Sequence, residues 1–316
     1  VAPWAAFCVL ELIMDKPFKT IDEQVSLLES RRVCTDSSAR TILMREGYYP
    51  VVNGYKGPFL DTWASKSSGH DMYRSGTHFS DIYRLFRFDR DLRMLMFRYF
   101  AAAEATLKTT CAYRFAQRNV GVREPYLDIE RYSTKMSRTA AVLIDDIQKA
   151  LGRGPYQGKR PKKRYLEHYV SNHDEVPVWV VMKYLSFGQA SIFYHCLDES
   201  TRNEVCKSFG ALYGQTHPDS HRFSPRELGL VYDRIKDFRN ICAHDERLYC
   251  ARVGKLCDIG FSDVMNDLAL VLPYSEECEM RAKIASMLAD LACDLPIDCW
   301  TTVARDMGML PAKPTE

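Results

Sequence analysis

The feature that most constrains this chain is the stretch from Phe79 to about Arg118, which contains neither glycine nor proline. Phe79, Ile82, Leu85, Phe86, Leu92, Leu95, Met96, Tyr99 and Phe100 recur within it close to the helical period. A helix of that length needs other helices to cover its apolar stripe. Alternating apolar and polar residues, the mark of a strand, are scarce elsewhere. The expectation is an all-α bundle with additional N-terminal and C-terminal helices.

Local signals place the other elements. Thr20-Ile21-Asp22-Glu23 has capping-box spacing and predicts a helix to about Arg32. Asp36 or Ser37 caps a second helix, which runs to about Glu46 and stops at Gly47. Residues 48–61 carry two glycines and two prolines and read as irregular, and 62–76 read as a polar loop. Helical or mixed segments are expected at 133–151, 165–171, 177–186, 189–197, 200–209 and 276–293. Ser224-Pro225 opens a helix with Leu228, Val231, Ile235, Phe238 and Cys242 on one face. These signals suggest three regions: 1–75 helical or irregular, a helical core over 76–295, and a tail over 296–316. A basic loop, residues 152–164, interrupts the core. No internal repeat is present.

Charge and cysteines narrow the function classes. The net charge of +2 does not announce a nucleic-acid binder, so any such surface is local. The 11 cysteines include no Cys-x2-Cys pair, which argues against a disulfide framework and a zinc site. Reduced thiols in a cytoplasm are the plain expectation. The apolar residues 1–14 lack a basic start and run into Asp15-Lys16-Pro17, so they read as a docking arm rather than a secretion signal.

The chemistry-bearing run is Arg239-Asn240-Ile241-Cys242-Ala243-His244. An arginine keeps its charge and can grip a phosphate in a planar fork, and a histidine can move a proton near neutral pH. Together they suffice to cut RNA by turning its 2′-hydroxyl on the adjacent phosphate. Arg239 would meet the phosphate, His244 would transfer protons, and Asn240 would orient either one or contact RNA. Positions five apart lie ~140° around an ideal helix. So the helix ends at the motif, or the arginine reaches round, or a second copy completes the site. A combination of the last two is the favoured expectation. Cys242 reads as a core thiol, not a nucleophile.

Candidate RNA contacts lie in the basic loop (Arg153, Lys159, Arg160, Lys162, Lys163 and Arg164), where Tyr156 or Tyr165 could stack on a base. A solvated linker is the competing reading. Arg84, Arg87, Arg90 and Arg93 recur every third residue and either line a groove or pair with Asp81, Asp89 and Asp91. Arg247 either binds RNA or pairs with Asp245 or Glu246. Glu104 and Lys108 form an i,i+4 pair or position the motif. Tyr48, Tyr49 and Tyr55 read as packing residues, and His168 as structural.

Ordered short segments resemble one family. They are Lys16-Pro17-Phe18-Lys19-Thr20 with Gln24 and Leu27-Leu28, then Tyr48-Tyr49, Gly54-Tyr55, Gly76-Thr77-His78-Phe79, and Phe88-Asp89-Arg90-Asp91-Leu92-Arg93. Next come His168-Tyr169, Pro177-Val178-Trp179-Val180-Val181, Leu185-Ser186-Phe187-Gly188, and the motif itself with Arg247-Leu248. Met307-Gly308 with Pro311 closes the set. Over about residues 16–311 the chain resembles the bacterial Abi family, the AbiD/AbiF-like abortive-infection proteins. That resemblance implies a HEPN-type helical bundle and a metal-independent endoribonuclease toxin of phage defence without cofactor. It also implies a homodimer, because only one Arg/His motif is present, and restraint by a small structured noncoding RNA. A non-catalytic RNA-binding HEPN protein and a protein-interaction module are the alternatives. Two positions depart from the family pattern: Asp245 follows the motif histidine, and Tyr249 stands where tryptophan is common.

Overall fold

The computed structural model describes residues 18–161 and 163–311. Every regular element among them is a helix, and β pairing is confined to isolated bridges such as Cys34 with His78 and Leu60 with Tyr73. The all-α expectation therefore holds. The arm at 1–14 and Lys162 lie outside the described residues. The chain forms two compact units that divide between Arg87 and Phe88, inside the long helix.

The first unit holds α1 (Ile21–Ser30), α2 (Ser37–Glu46), α3 (Thr62–Ser68) and the start of α4 (Phe79–Arg118). Thr20 and Glu23 make the reciprocal capping box, the Glu23 amide donating to Thr20 Oγ1 at 3.3 Å and the Thr20 amide to Glu23 Oε2 at 2.7 Å. Asp36 caps α2 by accepting from the Ser38 amide at 2.8 Å, and Gly47 ends it at φ 83°, where a side chain would strain the backbone. Helix α3 corrects the expectation of a loop over 62–76. Asp61 accepts from the Ala64 amide at 2.9 Å and left-handed Gly69 stops the helix. The caps sufficed although the segment lacks an apolar stripe. Tyr55 is buried edge-on to Phe86 at 5.4 Å, whereas Tyr49 stays exposed.

In the second unit α4 continues with Leu92, Met96, Tyr99, Phe100, Ala103, Leu107, Cys111 and Phe115 fully buried. Its remaining helices are α5 (Ser137–Leu151), α6 (Arg164–Asn172), α7 (Val178–Tyr184), α8 (Phe187–Cys196), α9 (Glu199–Thr216), α10 (Pro225–Ala243), α11 (Phe261–Val271), α12 (Tyr274–Asp294) and α13 (Ile297–Asp306). Helices α11 and α13 were not anticipated, and α9 runs seven residues past its expected end. The segment expected to be a tail buries Cys299, Val303 and Ala304 through α13.

Helix α10 carries the Arg239/His244 motif. Ser224 and Glu227 close its start with a capping box and Pro225 fills its first turn. It packs against α8, α9 and α11, and the Tyr232 hydroxyl donates to the Ala103 carbonyl of α4 at 3.0 Å. Arg234 locks it to α11 with a two-pronged pair to Asp267 at 2.6 and 2.5 Å.

Candidate active site

Helix α10 ends inside the motif. His244 is its C-cap, donating its amide to the Asn240 carbonyl at 3.0 Å, and Asp245 follows in the left-handed region at φ 59°. The Glu246 amide reaches back to the Ile241 carbonyl at 3.0 Å, a Schellman-type stop without glycine. Of the options the spacing left open, termination of the helix at the motif is observed. His244 projects into solvent and its ring makes no hydrogen bond among the described residues.

Arg239 is half-buried and faces α4. Its guanidinium lies 3.5 Å from Glu104 Oε2, donates to Asn240 Oδ1 at 3.2 Å, and sits 5.9 Å from the Phe97 ring centre. Glu104 also pairs with Lys108 at 2.6 Å, and Lys108 donates to the Leu185 carbonyl at 2.5 Å. The i,i+4 pair therefore exists and does more than decorate a surface, since it holds the carboxylate that faces Arg239. No hydrogen bond or ion pair joins Arg239 to His244 among the described residues. Burial pushes the Cys242 thiol up to about 12, as expected of a non-nucleophile.

The segment after the motif is clamped by residues that sequence reasoning undervalued. Asp89 is fully buried and accepts from the amides of Leu248, at 3.1 Å, and Tyr249, at 2.7 Å. Arg93, also buried, spans Asp89 at 2.6 Å and Asp245 at 2.5 Å. Asp245 thus bonds outward to α4 rather than to His244. A signal for this was present: Asp89 and Arg93 fall in the register of the buried positions Phe86, Leu92 and Met96, where a charged residue needs a partner. The reading of Arg93 as part of an arginine groove is corrected by that burial.

The remaining predicted contacts disperse. Arg153 is taken up by Glu124 at 3.2 Å, while Lys159, Arg160 and Lys163 stay exposed on the loop and Arg164 is exposed as the first residue of α6. The Lys159 ammonium stands 5.0 Å from the Tyr156 ring, and that of Lys183 lies 5.5 Å from the Tyr165 ring. Arg87 is exposed at the end of the first unit, Arg90 half-buried in the second, and Arg247 exposed beside the clamp. His168 sits on α6 beside Asn172 at 3.2 Å. Unforeseen is a groove of about 490 Å³ beside Lys108, lined also by Tyr113, Trp179 and Lys183 and by no acid. Tyr113 and Trp179 are 62 % and 59 % exposed there. Among the described residues no group of side chains forms a metal site, and no helix is long and apolar enough to cross a membrane.

The sequence model of the Abi-like proteins matches residues 41–250. The chain belongs to the Abi-like family. Membership gives this Abi-like protein a role in abortive infection, a defence against phage. The match takes in both the clamp and the Arg239/His244 motif. Neither the curated proteins nor the solved structures gave a match.

Proposed function

We propose that this Abi-like protein is a metal-independent HEPN-type endoribonuclease toxin. In the reaction a base takes the proton of an RNA 2′-hydroxyl and the oxygen attacks the neighbouring phosphorus. The bond to the 5′-oxygen breaks as that oxygen receives a proton. The products are a 2′,3′-cyclic phosphate and a 5′-hydroxyl, with no water consumed. His244 moves protons, Arg239 meets the charge that builds on the phosphate, and Asn240 steadies the guanidinium.

The observation that carries this reading is the pairing of a solvent-facing, unbonded His244 with a buried clamp that fixes the backbone just after it. A merely structural histidine would be expected to spend its nitrogens on protein partners. Arg239 is held at 3.5 Å from Glu104, longer than the usual charge-assisted bond, so a phosphate can replace the carboxylate at modest cost. The exposed Tyr113 and Trp179 beside lysines suit a single-stranded RNA. Arg247 and the exposed basic residues of the 152–164 loop supply further phosphate contacts. The site works as a homodimer that brings two motifs to one phosphate, and a small structured RNA restrains it.

Expression of wild type, Arg239→Ala and His244→Ala, scored for growth arrest and for total-RNA cleavage in EDTA, tests the proposal. Arrest and cleavage by the wild type alone support it. RNA left intact by nucleic-acid-free wild type contradicts it.

A further inference from the structure

A second constellation lies toward the other end of α10. His195 on α8 directs Nε2 at Asp233 Oδ2 across 3.1 Å, and Asp233 also accepts from the Ser191 hydroxyl at 2.9 Å. Burial opposes ionisation of Asp233, and the hydrogen bonds from His195 and Ser191 outweigh it and hold the carboxyl below its ordinary range. The ring rests on Gly229, where an added Cβ would stand 2.8 Å from His195 Cε1. A mid-helix glycine costs roughly 1 kcal/mol against alanine. Its presence here admits the imidazole against the α10 backbone.

His195 opens onto a cavity of about 500 Å³ shared with Glu199, Arg202, Ser224 and Arg226. Neither the Arg202 nor the Arg226 side chain has a hydrogen-bond or ion-pair partner among the described residues, and Arg202 Nε is buried without one. That contrasts with Arg234 on the same helix, which is fully engaged. Glu199 is the lone carboxylate of the lining and pairs with neither guanidinium. Ser224 already caps the helix at Glu227, so the donors on offer are side chains, not the helix terminus. Two unspent guanidiniums and an oriented imidazole around a space of ligand size match a phosphate group.

We infer that His195, Arg202 and Arg226 form a second site that binds the phosphate of a nucleotide or of an RNA backbone, separate from Arg239 and His244. Arg226 and Arg239 are thirteen residues apart on α10, about 20 Å at 1.5 Å per residue. The inference stands whether or not the motif cuts RNA.

The test follows the His195 imidazole by NMR, its signals assigned by their loss in His195→Gln. Full-length protein is titrated at constant ionic strength with inorganic phosphate, a 5′-mononucleotide, a single-stranded deoxyoligonucleotide, or chloride alone. A saturable shift with phosphate compounds but not chloride is expected, and the Arg202→Gln/Arg226→Gln variant weakens it about tenfold or more. Tighter binding of the mononucleotide identifies a free nucleotide as the ligand, and tighter binding of the oligonucleotide identifies a strand backbone. Equal response to chloride, or a double variant that titrates like wild type, overturns the inference.

Discussion

Glu104 is the residue whose role differs most between a bland and a functional reading of this fold. As a helix surface pair with Lys108 alone it would be worth a few tenths of a kcal/mol, and its loss would pass unnoticed. Facing Arg239 at 3.5 Å, it instead holds the guanidinium that the proposed reaction sets against the phosphate. Glu104→Gln should lower the turnover of RNA cleavage about 10- to 100-fold, with KM changing less, because misplacement of a catalytic group is felt in the transition state. Steady-state kinetics on a defined RNA checks this. Turnover equal to wild type would return Glu104 to an ordinary ion pair. Asp245 teaches a related lesson. It directly follows the motif histidine, yet the left-handed backbone at φ 59° turns its carboxylate to Arg93. Aspartate is one of the few residues that tolerates that conformation, which is why the helix can stop here without glycine.

Among the elements, the joint between α4 and the end of α10 carries the largest predicted energies. Asp89 and Arg93 are both buried, so removing either takes from the other its buried charge partner, at a cost of about 3–5 kcal/mol. Asp89→Ala and Arg93→Ala should each show that loss in urea unfolding. Asp245→Ala, whose carboxylate is 77 % exposed, should cost about 1 kcal/mol or less. Equal effects from all three would refute the clamp. The helix caps add an acid limb. Hydrogen bonds from the Ser38 hydroxyl and amide hold the Asp36 carboxyl below its ordinary range. The unfolded state therefore binds its proton first as pH falls, and stability rises with pH through that window. Below about pH 4 the start of α2 should lose amide protection, readable by hydrogen exchange, and Asp36→Asn should flatten that dependence. These elements were legible to different degrees. Helix α4 was plain because it lacks breakers and keeps its period, and α10 because Ser224-Pro225 marks its start. Helix α3 was hidden because its seven residues, polar or small apart from Trp63, show no stripe, although Asp61 and Gly69 bracket it. Helix α11 buries Phe261, Val264, Met265 and Leu268 at i, i+3, i+4 and i+7, so its period is present in the sequence, whereas α13 lies in the segment expected to be a tail. Within the site, Arg239 and His244 could be read from their spacing. Of the Asp89–Arg93–Asp245 clamp, the buried register marks Asp89 and Arg93 as needing partners, but not Asp245 as one of them, because Arg93 and Asp245 are 152 positions apart.

At the scale of the whole molecule, the proposed reaction calls on two Arg/His motifs at one phosphate, and this sequence carries one. Mass photometry of nucleic-acid-free protein at its working concentration should find twice the 36.4 kDa chain mass. A monomer that still cleaves RNA would remove the second copy from the account. The chemistry itself is read most directly from the ends of the cut RNA. Purified protein should cleave a single-stranded RNA in EDTA to leave a 2′,3′-cyclic phosphate and a 5′-hydroxyl. It should spare the same strand when the nucleotide 5′ to the cut is 2′-deoxy, and His244→Ala should leave both intact. Cleavage that persists at the deoxy position, or that leaves a 5′-phosphate, would contradict attack by the 2′-hydroxyl and with it the role given to Arg239 and His244.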